Sequence, residues 1–219
     1  TDQSPARIRP LDHLTGPSAS LARRLALVGL GGAAIGTLTS LGQTCLPFEL
    51  SPLANSAGSW SLAAFLLALN ERVPRRAAVL GTVALVTMLA GYVVATRLRG
   101  FPVGTNLLLF WSAASVVVGP ALGAGAAWVR RGDALRRTAG VAVIAGILIG
   151  EAVYGVTVIG DTTPAPYWFG EMALAGGVVI LASGRWARSG RHLVIGLALT
   201  AIVAAAFYVT YSGNLIALF

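Results

Sequence analysis

Glu151 is the residue in this chain most able to do chemistry. It lies inside Gly146-Ile-Leu-Ile-Gly-Glu-Ala-Val-Tyr-Gly155, about eight residues, or roughly 12 Å, from the outer end of the apolar stretch 138–159. A carboxyl at such a depth costs about 2.5–3.5 kcal/mol on insertion scales, so it faces protein and finds a partner. Tyr154, three residues on, shares its helical face and is the expected partner in an acid–phenol pair. An apolar surround disfavours the anion, so the group can hold a proton near neutrality. That suits a general acid or a coupling proton, and equally a neutral glutamic acid bonded between helices.

Two further acids, Asp161 and Glu171, bracket a loop with two prolines and three consecutive aromatic residues. With Glu151 they form the expected catalytic set, Glu171 or Asp161 acting as base or proton return. Trp60, Tyr92, Tyr154 and Tyr208 are candidate aromatic walls, able to stabilise a developing carbocation through their π faces. The competing explanation is an interfacial aromatic belt. It accounts for Trp128, Trp168, Trp186 and Tyr167 better than for Tyr154 and Tyr208, which lie further from their helix ends. Glu49 and Asn55 add polar groups from the stretch 42–57, where Asn55 or Ser56 also reads as a helix N-cap. Arg97 and Arg99 are candidates for holding an anionic head group, or for pairing with nearby carboxylates, which is the simpler reading.

The elements that must position these residues are membrane helices. The chain has 219 residues, 56% hydrophobic and only 11% charged, against about a quarter charged in soluble domains. Apolar runs at 25–46, 54–70, 77–96, 104–129, 138–159, 168–184 and 192–212 are each about 17–26 residues long, enough to cross a hydrocarbon core of about 30 Å. The second is the shortest and weakest. Unpaired backbone is too costly in lipid for anything but helices. The expectation is therefore an all-α, polytopic bundle of about seven helices. Residues 1–20 read as a mobile cytoplasmic tail and 21–219 as one transmembrane domain. Small residues at Gly29, Gly32 and Gly36 and at Gly146 and Gly150 supply close-packing faces, and Gly119-Pro120 predicts a kink in the fourth helix.

The basic side chains give the orientation. All sixteen are arginines, clustered at Arg7, Arg9, Arg23 and Arg24; at Arg72, Arg75 and Arg76; at Arg130, Arg131, Arg136 and Arg137; and at Arg185, Arg188 and Arg191. Only Arg97 and Arg99 fall in the alternate gaps. The positive-inside rule then places the N-terminus in the cytoplasm and the C-terminus outside. It also puts Glu49, Glu151, Asp161, Glu171 and all five tyrosines toward the outer side.

Composition excludes several classes. Without lysine there is no Schiff-base cofactor. The lone Cys45 excludes an internal disulfide, and His13 and His192 lack ligand spacing, so neither a metal nor another cofactor is expected. The net charge of +8 flanks apolar runs, as topology signals do, so nucleic acid is not an expected partner. The expected partners are the lipid bilayer and a hydrophobic small molecule.

At Leu53-Ala-Asn-Ser-Ala-Gly-Ser-Trp60, Gly91-Tyr92, Arg99-Gly100, Phe110-Trp111 and Gly150-Glu151, the chain resembles a family of small bacterial integral membrane proteins of unknown function, over residues 25–185. That resemblance implies a multi-pass protein of the bacterial inner membrane and no activity. At the level of class alone the chain is similar to seven-helix membrane terpene cyclases in helix number, size and buried acids. No motif matches them residue by residue. An analogy to the substrate-binding subunits of vitamin transporters rests on size and helicity. The function expected first is acid-catalysed cyclisation or isomerisation of an isoprenoid-like molecule. The alternative is small-solute transport, with Glu151 coupling to a proton or contacting the solute.

Overall fold

The structure, a computed structural model, describes residues 17–186 and 189–213. Most of the expected N-terminal tail, Arg188 and the last six residues lie outside that range. Seven α-helices follow in order: α1 (Pro17–Cys45), α2 (Ala57–Ala68), α3 (Pro74–Leu98), α4 (Thr105–Arg131), α5 (Ala134–Thr157), α6 (Ala165–Trp186) and α7 (Gly190–Ser212). A 3-10 helix, Phe48–Ala54, stands between α1 and α2. The described residues contain no strand, and all the long helices are apolar enough to cross a membrane. This is an all-α polytopic bundle. Helix α1 begins at Pro17, inside the segment expected as tail.

Local chemistry sets the boundaries. The Asp133 side chain caps α5 by accepting from the Arg136 N–H at 2.8 Å. Pro74 opens α3, where its missing N–H has no consequence. Gly100 closes α3 at φ 82°. Its N–H bonds to the Arg97 carbonyl and the Phe101 N–H reaches back to that of Thr96, a left-handed stop that favours glycine. Helix α4 runs unbroken through Pro120.

Close approaches of small residues reveal the helix directions. Gly32 and Gly36 of α1 lie against Ala84 and Met88 of α3, so the two helices run parallel. At one end Arg24 donates to the Asn70 carbonyl at 2.8 Å and pairs with Glu71 at 3.3 Å. At the other end Ser40 and Thr96 share a hydrogen bond of 2.8 Å. The intervening chain, 46–73, must therefore return from one end of the bundle to the other. Helix α2 supplies only 12 residues of that return, about 18 Å. The second expected crossing thus exists, but as a short buried helix preceded by non-α-helical chain, in contrast to the six long spans.

Helices α3 and α4 are antiparallel, with Gly81 on Gly119 and Gly123 on Ala77, and α4 meets α5 through Gly125 and Gly140. Helices α5 and α7 are parallel, with Gly146 on Thr200 and Gly150 on Ala204, while Trp168 of α6 covers Gly155 of α5. Every described arginine except Arg97 and Arg99 consequently sits at one end. Arg137 lies over the Trp186 ring there, 5.5 Å from its centroid. Helix α5 is enclosed by α2, α4, α6 and α7.

Two predictions follow from this packing. A Cβ at Gly123 would meet backbone atoms of Ala77 and Ala78, whereas at Gly176 it meets nothing within 4 Å. Gly123→Ala is expected to cost about 1–3 kcal/mol, read as a lowered unfolding temperature in detergent, and Gly176→Ala to cost nothing. Glu71 Oε1 accepts from the backbone N–H groups of Arg72 and Val73 at 2.7 and 3.0 Å. Burial alone would raise this carboxyl, but those bonds and the Arg24 and Arg76 charges outweigh it and hold it below its ordinary value. Its stabilisation is present above the unfolded-state carboxylate range and is lost as pH falls through the lowered value. The stability difference between wild type and Glu71→Gln should therefore shrink on acidification.

Candidate functional site

Helix α2 begins inside the bundle, level with Glu151 in the second half of α5. The first N–H groups of any helix lack intrahelical acceptors, and no water is present at hydrocarbon depth to supply them. Glu151 supplies the acceptor. Its Oε1 accepts from the Ala57 N–H at 2.7 Å. Its Oε2 accepts from the Gly58 N–H at 2.5 Å and from the Ser56 hydroxyl at 2.7 Å. Ser56 is also the N-cap, its Oγ accepting from the Ser59 N–H at 2.9 Å. Three donors and the positive end of the helix dipole thus converge on one carboxylate.

Glu171 of α6 is buried and sets its carboxyl against that of Glu151. No amide or hydroxyl donates to either Glu171 oxygen among the described residues. Gly58 makes the arrangement possible, because a Cβ there would strike carboxyl oxygens of both Glu171 and Glu151. Tyr167, a turn before Glu171, brings its hydroxyl to Ser56.

A cavity of ≈ 270 Å³ lies beside this cluster, bounded by the start of α2 and by α1, α3, α4 and α7. Ser56 borders the cavity and donates to Glu151, and Tyr211 lines the cavity from α7. Trp60 stands edge-on to Tyr92 with ring centroids 6.2 Å apart and tilted on Trp111 at 6.1 Å. The Tyr92 hydroxyl donates to Gln43 Oε1 at 3.2 Å, and Gln43 Nε2 donates to Asn55 Oδ1 at 2.7 Å. Aromatic walls and one short polar chain give the cavity the mixed lining typical of small-molecule pockets.

A profile for a family of unknown function, DUF6518, matches residues 15–216. The chain belongs to that family. No curated protein and no solved structure matches it.

The structure brings Glu151 and Glu171 together and gathers Trp60, Tyr92 and Asn55 around the cavity. Tyr154 is not a partner of Glu151; its ring meets Tyr211 at 5.6 Å. Tyr208 lies at the α5–α7 edge, 3.5 Å from Thr157 Oγ1, and does not border the cavity. Asp161 is exposed in the turn after α5, Glu49 on the 3-10 helix and Arg97 at the end of α3. Among the described residues Arg99 pairs with no carboxylate. It donates to the Ser40 carbonyl, to Ser40 Oγ at 3.0 Å and to Thr44 Oγ1 at 2.6 Å, a cation at the C-terminal end of α1 where the helix dipole favours it.

The site also uses Gly58, Tyr211 and a second role of Ser56. Ser56-x-x-Ser59 at the head of a short apolar run was a usable signal, since a cap at that depth requires a further acceptor. Nothing in the sequence marked Tyr211 apart from the other four tyrosines.

Replacing Glu151 with Leu orphans two buried N–H groups and a hydroxyl, each worth about 1–3 kcal/mol. The variant should lose far more thermal stability than Ser56→Ala, which leaves both backbone bonds to Glu151 intact. Unfolding followed by circular dichroism in one detergent compares them.

Proposed function

We propose that this membrane protein binds a small, neutral, largely apolar molecule in the cavity and moves it in linkage with a proton held at Glu151 and Glu171. The observation that carries this reading is Ser56, which faces the cavity and also donates to Glu151. Among the described residues no charged side chain borders the cavity, so a charged guest would lie there uncompensated by them. By the positive-inside rule the arginine-rich end is cytoplasmic, and the cavity then opens toward the outer side.

Acid-catalysed cyclisation or isomerisation of an isoprenoid-like guest is the second reading. The rings of Trp60, Tyr92 and Trp111 favour it, because they suit a developing cation. It requires a carboxylic acid at the guest. Both Glu151 oxygens are engaged by α2, and neither Glu151 nor Glu171 borders the cavity. Proton-linked binding is therefore the better supported of the two.

Mass spectrometry of protein purified in lipid nanodiscs tests the proposal. Wild type is expected to release a neutral small molecule on denaturation, and Trp60→Arg, which fills and charges the cavity, to release none. Proteoliposomes given that molecule should take it up with inward proton movement. Equal recovery from both proteins would sink the proposal. Conversion of the molecule without uptake would transfer support to catalysis.

A further inference from the structure

The two carboxyls differ in a way that assigns the proton. Glu151 receives three donated hydrogens, which suits an anion. Among the described residues Glu171 receives none, although both its oxygens are buried. An acid satisfies its position in such a place only by carrying a hydrogen and donating it, and the acceptor in contact with it is Glu151.

We infer that Glu151 and Glu171 form a one-proton site, in which Glu151 is the resident anion and Glu171 carries the exchangeable proton and donates it to Glu151. This reverses the roles that depth in the sequence suggests. The reaction is simple: a carboxylate–carboxylate pair plus one proton gives a single hydrogen-bonded acid–anion pair with one negative charge. That charge is matched by the N-terminus of α2. Two charges would not be, since adjacent carboxylates in a dry site cannot both ionise at ordinary cost.

The other titratable groups facing the pair are phenols: Tyr167 from α6 and Tyr211 from α7, with Tyr154 of α5 behind Tyr211. Helix α2 presents none, and no described arginine or histidine reaches the pair. Loss of the proton therefore leaves an uncompensated charge that drives Glu171 away from Glu151 and disturbs the Ser56 seat. The consequence for the cavity rests on the binding function proposed above; the proton assignment does not.

Infrared spectroscopy of the full chain in nanodiscs, without added ligand, tests the assignment. Near neutral pH, wild type should show the C=O stretch of one protonated carboxylic acid, shifted on exchange into D₂O. Glu171→Gln should abolish the band while the protein stays folded, because the amide can donate to Glu151 in the acid's place. The exposed Asp161→Asn should leave it unchanged. Absence of the band in wild type overturns the inference, and this reading needs no variant to fold. Persistence of the band in folded Glu171→Gln overturns it too. Because the readout involves no guest molecule, it can fail while cavity binding stands, and the reverse.

Discussion

The capping of α2 by Glu151 is the interaction on which the rest of the site depends. A helix that starts at hydrocarbon depth exposes backbone donors where water cannot reach them, and only an acceptor from another helix removes that cost. The carboxylate provides two oxygens and a full charge for the helix's positive end, so one residue of α5 secures three groups of the 56–58 segment. Helix α2 can then be short. The chain ahead of it bends across the bundle end through the 3-10 helix, and Ala54, Asn55 and Ser56 of that chain border the cavity. A helix extended to the membrane surface would need no buried cap and would leave no such border.

Packing by small residues brings the capping groups within reach. Apolar burial gives no drive between helices already surrounded by lipid tails, so contact distance and dispersion decide association. Glycines let α1 approach α3, α3 approach α4, and α5 approach α7 until side chains of one touch the backbone of the other. Gly58 applies the same property to chemistry, since the space where its Cβ would stand holds carboxyl oxygens. Helix α5 carries both features, with glycines toward α7 and Glu151 toward α2. Its position inside the bundle is what keeps that carboxylate out of lipid.

Much of this was legible in the residues, and the failures have identifiable causes. The spans and the arginine alternation are compositional signals. They needed no tertiary information, because lipid imposes its demands on each segment independently. Glu151 stood out for the same reason, an acid at depth being costly wherever its helix packs. Its partner did not. The spacing to Tyr154 is correct for a shared face, but three donors from α2 satisfy the carboxylate more strongly than one phenol can. Arg99 shows the same limit, because its acceptors are mainly a backbone carbonyl and hydroxyls, which no charge pattern reveals. Asp161 and Glu49 are exposed, in a turn and on the 3-10 helix, and the sequence could not show that those segments turn outward.

By itself the sequence determined that this chain is a multi-pass helical membrane protein, that its arginines gather at one end, and that Glu151 must be accommodated by protein. Those are properties of single segments set against water or lipid. Only the tertiary structure decided that the second crossing is a short capped helix, that Glu171 rather than Tyr154 meets Glu151, and that Trp60, Tyr92 and Asn55 border one cavity. These are meetings between segments far apart in the chain. They are set by which helix faces can approach most closely, and that depends on glycine contacts whose pairing one-dimensional spacing does not encode.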